Sequence, residues 1–274
     1  MKKLMVVADW ATDSLTCQEV RSSIEGYLKN QLDPNIHFIE TAPSTINTAF
    51  ILSQVIQTEE VYGRPANTVI FQNTDPRINA VKKGGSVPGS QPLILKLASG
   101  IYVIGPNSIY TYSLIKHKIE EAFVYKNLDE TTQFQSRDLY ARISAHFIEE
   151  MEDEMELEET STSCISMIDG FVVGHIDNFG NIKTTVPHEY LKGKVEFGEK
   201  IKITIGSVQE EVSYVPSLFG GNPGELVMYP GSSGPKDNRY VEVSVWRYFT
   251  EENPTTGSFH FNYPRLGAPI KFKL

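Results

Sequence analysis

Three short polar residues stand where an open α/β sheet would present ligand contacts. Asp9 follows the apolar run Lys3–Ala8. Asp75, in Asn73-Thr74-Asp75-Pro76, follows Thr68–Phe71, and Asn107, in Gly105-Pro106-Asn107-Ser108, follows Ile101–Ile104. If these runs are parallel strands, all three residues fall outside the carboxyl ends, where such sheets bind ligands. A carboxylate at that rim accepts two hydrogen bonds side by side, which suits a sugar diol. The competing expectation is that Asp and Asn only shape turns and cap helices there. A second cluster is His175-Ile176-Asp177-Asn178-Phe179-Gly180-Asn181-Ile182. Its turn formers fit a tight hairpin. It also sets an aromatic ring between a carboxylate and an amide, a combination that can hold a flat heterocycle.

Other chemistries lack their residues. None of His37, His117, His146, His175, His188 and His260 stands in H-E-x-x-H or another close metal-ligand spacing, so no metal site is expected. There is no G-x-S-x-G elbow, and Ser113-Leu114-Ile115-Lys116 matches S-x-x-K only as a common pattern inside a helical stretch. The glycine-rich segments Gly84–Gly89 and Gly220–Gly234 are not phosphate loops. Asp9-Trp10-Ala11-Thr12 occupies the turn where a dinucleotide fold would carry G-x-G-x-x-G.

The elements that must carry these residues fall into two sets. In the first half, strand-like runs at Lys3–Ala8, Ile36–Glu40, Thr68–Phe71, Leu93–Leu97 and Ile101–Ile104 alternate with helical patterns. Those patterns lie at Ser14–Leu32, Ile46–Thr58, Tyr110–Phe123 and Arg137–Glu150, and Asp13 or Ser14 can cap the first. Alternation of this kind predicts an α/β domain with a mostly parallel sheet. Beyond Ser163 the pattern changes to seven short strand-like runs: Val172–Ile176, Ile182–Val186, Lys200–Ile205, Glu210–Val215, Glu225–Met228, Tyr240–Trp246 and Ile270–Phe272. Dense Gly and Pro between them predict a small all-β barrel or sandwich. The expected domains are 1–160 and 164–274.

The chain has 274 residues and a formal charge of −9. Eight of its carboxylates lie in Glu149–Glu159; without them the charge is −1. That block is expected to be a solvated extension of the last helix of the α/β domain. The charge gives no reason to expect nucleic acid or an anionic membrane surface. No apolar run approaches the ~18 residues of a membrane span. Cys17 and Cys164 are far apart and form no C-x-x-C, so a cytoplasmic protein with reduced thiols is expected.

Taken in order, these pieces resemble one family, the S-adenosyl-L-methionine (SAM) hydroxide adenosyltransferases, whose relatives are the SAM-dependent fluorinases and chlorinases. Ala8-Asp9-Trp10-Ala11-Thr12-Asp13 resembles the family's opening T-D-F-G-x-x-D, and Asn73-Thr74-Asp75-Pro76 the start of V-D-P-G-V-G-T-x-R-R. Pro106-Asn107-Ser108 is similar to P-[DN]-N-G. Phe134-Gln135-Ser136-Arg137-Asp138 stands between F-H-G-R-D and the fluorinase F-Y-S-R. Asp177–Thr185 is similar to D-x-F-G-N-x-x-T-N until its last residue, where Thr185 stands; Asp177–Thr184 is the most specific piece. Ser232-Ser233-Gly234 with Tyr240–Trp246 resembles the S-x-G and strand near the family's end, with Pro235–Arg239 inserted.

The resemblance implies a Rossmann-like α/β domain, a C-terminal β-barrel and a homotrimer with SAM held between neighbouring subunits. SAM would be substrate, with no further cofactor. Asp9 would hold the ribose, with Trp10 and Asn107 also in the substrate-binding set. Phe179 and Asn181 would contact adenine, and Asp177 and Ser233 the methionine end. Phe134 and Ser136 would line the pocket near C5′. Attack by water at C5′ would give adenosine and methionine; attack by halide would give a halogenated nucleoside. The hydrolases position water with Asp, Arg and His. Here those positions hold Asp75, Lys82 and Gln135. Glutamine can orient a water but cannot act as a base.

Overall fold

The computed structural model describes residues 2–30, 34–75, 90–125, 132–246 and 255–273. The chain divides into two compact units, Met1–Met167 and Ile168–Leu274.

In the first unit, β1 (Lys3–Ala8) pairs in parallel with β2 (Asn35–Glu40) and β3 (Thr68–Asn73). Between them lie α1 (Ser14–Tyr27) and α2 (Thr45–Tyr62). Asp13 caps α1 by accepting from Leu15 N–H, and Ser44 caps α2 by accepting from Asn47 N–H. β4 (Pro92–Leu97), β5 (Tyr102–Pro106), β6 (Ile119–Tyr125), α3 (Ala141–Ile148) and β7 (Leu157–Glu159) follow. The sheet order is β2-β1-β3-β5-β4-β6-β7. Its β2-β1-β3-β5 half is parallel, and β4, β6 and β7 extend it antiparallel. One face of the sheet packs Leu4, Val6, Val69 and Phe71 with Val20 and Ile24 of α1 and Ile143 and Phe147 of α3. The other packs Val7, Ile70 and Val103 with Leu52 and Ile56 of α2.

Two expectations are corrected. The stretch Tyr110–Phe123 is not a helix; a short 3₁₀ turn at Ser113–Lys118 leads into β6. Ala122 and Val124 are buried while Glu121 and Tyr125 are not, so period two prevails once β4 supplies a partner edge. The acidic block does not extend the last helix. Glu150 adopts a left-handed backbone conformation (φ 59°), which ends the helical path. The chain then makes a 3₁₀ turn at Glu152–Glu154 and becomes edge strand β7 against β6. Nor is the block simply solvated. Glu149 accepts from Lys29 N–H (3.1 Å) and Asn30 N–H (2.8 Å), and Glu154 pairs with Lys29 at 2.7 Å.

The second unit is a closed seven-stranded barrel, as the seven runs suggest. Its strands are β8 (Phe171–Ile176), β9 (Ile182–Pro187), β10 (Lys200–Ile205), β11 (Val208–Tyr214), β12 (Leu226–Pro230), β13 (Tyr240–Val245) and β14 (Pro269–Lys273). They close in the order β10-β11-β12-β13-β9-β8-β14. Val173, Ile182, Ile203, Val212, Met228, Val243 and Phe261 are among the side chains that fill it. Closure leaves no free sheet edge to satisfy. A single helical turn, α4 (Gly257–His260), lies near the end of the chain.

Candidate active site

In the first unit the carboxyl ends of β1 and β3 lie side by side, with Ala8 opposite Asn73. Asp9 N–H continues the ladder to Asn73 C=O at 3.4 Å. Asp9 is half-buried. Burial pushes its carboxyl pKa up; its own backbone N–H opposes this, and the charge of Asp75 adds to it. The two rim carboxylates are therefore close enough to feel each other. Asp75 Oδ2 accepts from Ser90 N–H at 3.0 Å, and Ser90 Oγ lies 3.2 Å from Ser108 Oγ. Behind this rim Thr41, Thr48 and Thr74 form a buried hydroxyl cluster with Oγ–Oγ distances of 2.8–3.2 Å.

Trp10 sits beside Asp9 with its ring centroid 6.2–6.3 Å from Phe38, Phe71 and Phe134. Its indole N–H points at Asn73 Oδ1 (3.4 Å). Phe134 begins a turn in which Gln135 leads into a π turn, Ser136–Tyr140, closed by Ala141 N–H to Ser136 C=O. Ser136 is buried within it. Such single π turns inside helices are frequent at functional sites. Arg137 lies over the Phe134 ring and pairs with Asp138 at 2.7 Å.

The unit thus gathers Asp9, Trp10, Asp75 and Phe134, with Gln135 and Ser136 next in chain to Phe134. Asn107 reaches the strand end, but its amide donates to Cys164 C=O at 3.1 Å, so it ties down the last segment of the unit. Lys82 lies outside the described residues. A shallow cavity lined by Tyr125, Arg142, His146, Glu154, Met155 and Glu156 includes none of the predicted residues.

In the second unit, β8 and β9 are joined by Asp177–Asn181. Asp177 Oδ1 accepts from Phe179 N–H and Asn181 N–H (both 3.0 Å), and Oδ2 accepts from Asn181 Nδ2 (3.0 Å). Asn181 Oδ1 in turn accepts from Ser244. Gly180 has φ 75°, and a Cβ there would lie 2.6 Å from Thr256. The turn is a hairpin, held by the side chains of Asp177 and Asn181. What it presents outward is the Phe179 ring, 61% exposed.

Ser233 reaches the same region through two residues that sequence reasoning missed. Lys183 and Glu242 are cross-strand partners on β9 and β13. Glu242, nearly fully buried, accepts from Lys183 Nζ (2.9 Å), Ser232 N–H (2.9 Å), Ser232 Oγ (3.1 Å), Ser233 Oγ (3.4 Å) and Tyr229 Oη (3.4 Å). Gly231 gives the loop room to wrap this carboxylate; a Cβ there would overlap it. In sequence, Tyr240-Val-Glu-Val-Ser-Val reads as an ordinary half-exposed strand. Only its polar face being buried marks Glu242 as special.

His175 stands next in the row, opposite Lys183. Burial, then the Lys183 charge, hold its pKa below the ordinary 6.5 against the opposing pull of Asp177 and Glu242. The folded state thus binds fewer protons there than the unfolded chain. This contribution is fully present above pH ~6.5 and is lost as pH falls below it. The melting temperature is expected to drop between pH 7 and 5, and His175→Gln should flatten that slope. Equal slopes in the two proteins would assign the acid sensitivity elsewhere.

Residues 171–245 match the family described as SAM hydroxide adenosyltransferase C-terminal domain. The barrel is thus similar to a SAM hydroxide adenosyltransferase C-terminal domain. Across the whole chain the fold is similar to that of an uncharacterized conserved protein from Thermotoga maritima. Its TM-score is 0.74 at 17% identity, covering 98% of this chain and 99% of that one. It is also similar to a conserved hypothetical protein from Thermus thermophilus, with TM-score 0.65, 15% identity, and 99% and 100% coverage. A comparison with curated proteins returned no match. The similarity of the barrel to that family supports a SAM-utilising enzyme with a small-molecule substrate. Among the described residues no helix is long and apolar enough to cross a membrane.

Proposed function

We propose that the chain is a SAM hydrolase. Water displaces L-methionine from C5′ of SAM and releases adenosine. The observation that carries this reading is the hairpin of the SAM hydroxide adenosyltransferase domain. It is locked by Asp177 and Asn181 and holds the Phe179 ring outward, as a flat heterocycle requires. In this reading Asp9 takes the ribose hydroxyls. Trp10, Phe134, Ser136 and Asn107 border the substrate, and Asp177 and Ser233 face its methionine end. The sites form between subunits of a cytoplasmic homotrimer, and no cofactor is used.

The chemistry asks little of the protein beyond placement. The water oxygen bonds to C5′ as the C5′–S bond breaks, and its electron pair neutralises the sulfonium to a thioether. The water proton passes to Asp75 or to solvent. Gln135 orients the water, and Lys82 takes the cationic position. In-line placement and exclusion of other water supply most of the barrier reduction.

A halide in place of water is the second reading, favoured by the buried Ser136 in the fluorinase-like Phe134–Arg137 segment. Against it, Asp9 and Asp75 put two carboxylates at the rim, and a nearby carboxylate repels a halide. Incubation with SAM, with and without chloride or fluoride, followed by chromatography, separates the cases. Adenosine without halide supports the hydrolase. A halogenated nucleoside supports the halogenase. No product with a SAM-dependent rise in melting temperature identifies a binding protein that lacks catalysis. No product and no shift would overturn the SAM reading.

A further inference from the structure

Lys183 is a half-hidden ammonium with one unfilled role. Its side chain is 17% exposed, and its Nζ donates to Glu242 (2.9 Å) and Ser232 Oγ (3.2 Å). An ammonium has three N–H donors. Among the described residues the third finds no hydrogen-bond acceptor, since the remaining nearby carboxylate oxygen, Asp177 Oδ2, is 3.9 Å away. That oxygen accepts one hydrogen bond, from Asn181, and has capacity for another. The side chain of Asp177 is also partly open, at 21%. A spare donor and a spare acceptor therefore stand 3.9 Å apart on one face. The polar end of an amino acid, with its ammonium and carboxylate on one carbon, is the complement of such a pair.

The local charge agrees. Lys183, Asp177 and Glu242 sum to −1, and His175 beside them is held toward its neutral form. SAM carries a sulfonium, an ammonium and a carboxylate, a net +1. We propose that Lys183 is a specificity-determining residue that recognises the α-carboxylate of the substrate. In this role Glu242 is a positioning residue. Its buried carboxylate holds the ammonium through one N–H, with Ser232 Oγ taking a second. The ligand's ammonium goes to Asp177 Oδ2. The inference rests on the SAM reading and extends it to the part of SAM that the site selects.

The test compares SAM with decarboxylated SAM, which keeps the sulfonium, adenosine and amine but lacks the carboxylate. Binding of each to the full-length protein is measured by calorimetry. A charge-assisted hydrogen bond predicts that the wild type prefers SAM by roughly 10- to 100-fold. In Lys183→Met that preference should collapse to within about twofold, through weaker SAM binding with decarboxylated SAM little changed. Lys183→Arg should restore part of it. If Lys183→Met misfolds because Glu242 is left unpaired, the double variant Lys183→Met/Glu242→Gln removes both charges and carries the same expectation. An undiminished preference for SAM in a folded Lys183 variant overturns the inference while leaving the SAM reading intact. Failure of the wild type to bind SAM at all overturns both.

Discussion

Replacing Asp75 by asparagine is expected to slow adenosine release by about 10²- to 10⁴-fold while changing SAM affinity little. The carboxamide has nearly the shape of the carboxylate and can still accept from Ser90 N–H, which lies 3.0 Å from Oδ2. What it loses is the ability to take a proton and the charge that steadies a partly positive water. These matter as the O–C5′ bond forms, so the loss belongs to turnover rather than to binding. Single-turnover rates with saturating SAM, set beside dissociation constants from calorimetry, separate the two. A rate unchanged within twofold would remove Asp75 from the mechanism. The same variant should lower the pKa of Asp9, because one cause of its upward shift is the Asp75 charge.

The second large effect is on stability. Glu242→Ala should destabilise the protein by about 3–5 kcal/mol, the range for breaking a buried ion pair from one side. The carboxylate is nearly fully buried and gathers Lys183, Ser232, Ser233 and Tyr229. Truncation leaves Lys183, itself 17% exposed, without its closest counter-charge. It also leaves the Ser232 N–H without its acceptor. Glu242→Gln keeps one acceptor oxygen and should cost less. Denaturant melts of the three proteins give the comparison. A loss under about 1 kcal/mol in Glu242→Ala would mean that the loop and Lys183 find other partners.

These two residues also show what a sequence can and cannot reveal. Asp75 is legible because its position depends on local facts: an apolar run, then a turn, at the carboxyl end of a strand. The Asp177–Asn181 hairpin is legible for the same reason, since Asx chemistry and Gly180 act within five residues. All seven barrel strands are readable from short apolar runs with Gly and Pro between them. Glu242 and Lys183 are not readable, because their pairing depends on the β9–β13 register across 59 residues. Asn107 is legible only in part. Its turn is where the sequence puts it, but Cys164 C=O, 57 residues on, takes its amide. The stretch Tyr110–Phe123 carries apolar residues compatible with either period, and the β4 edge decides for a strand.

The acidic block shows how a global number can mislead. The formal charge of −9 owes eight units to Glu149–Glu159. That block is partly engaged with Lys29 and Asn30 and ends as an edge strand. The charge cluster of Lys183, Asp177 and Glu242 in the barrel is a separate matter, with a local charge of −1.

The origin of the oxygen in the product tests the central claim most directly. The protein is incubated with SAM in ¹⁸O-labelled water without halide, and adenosine and methionine are analysed by mass spectrometry. Water attack at C5′ predicts one ¹⁸O in the 5′-hydroxyl of adenosine and none in methionine. Unlabelled adenosine, or a product in which the C5′–S bond survives, would contradict it.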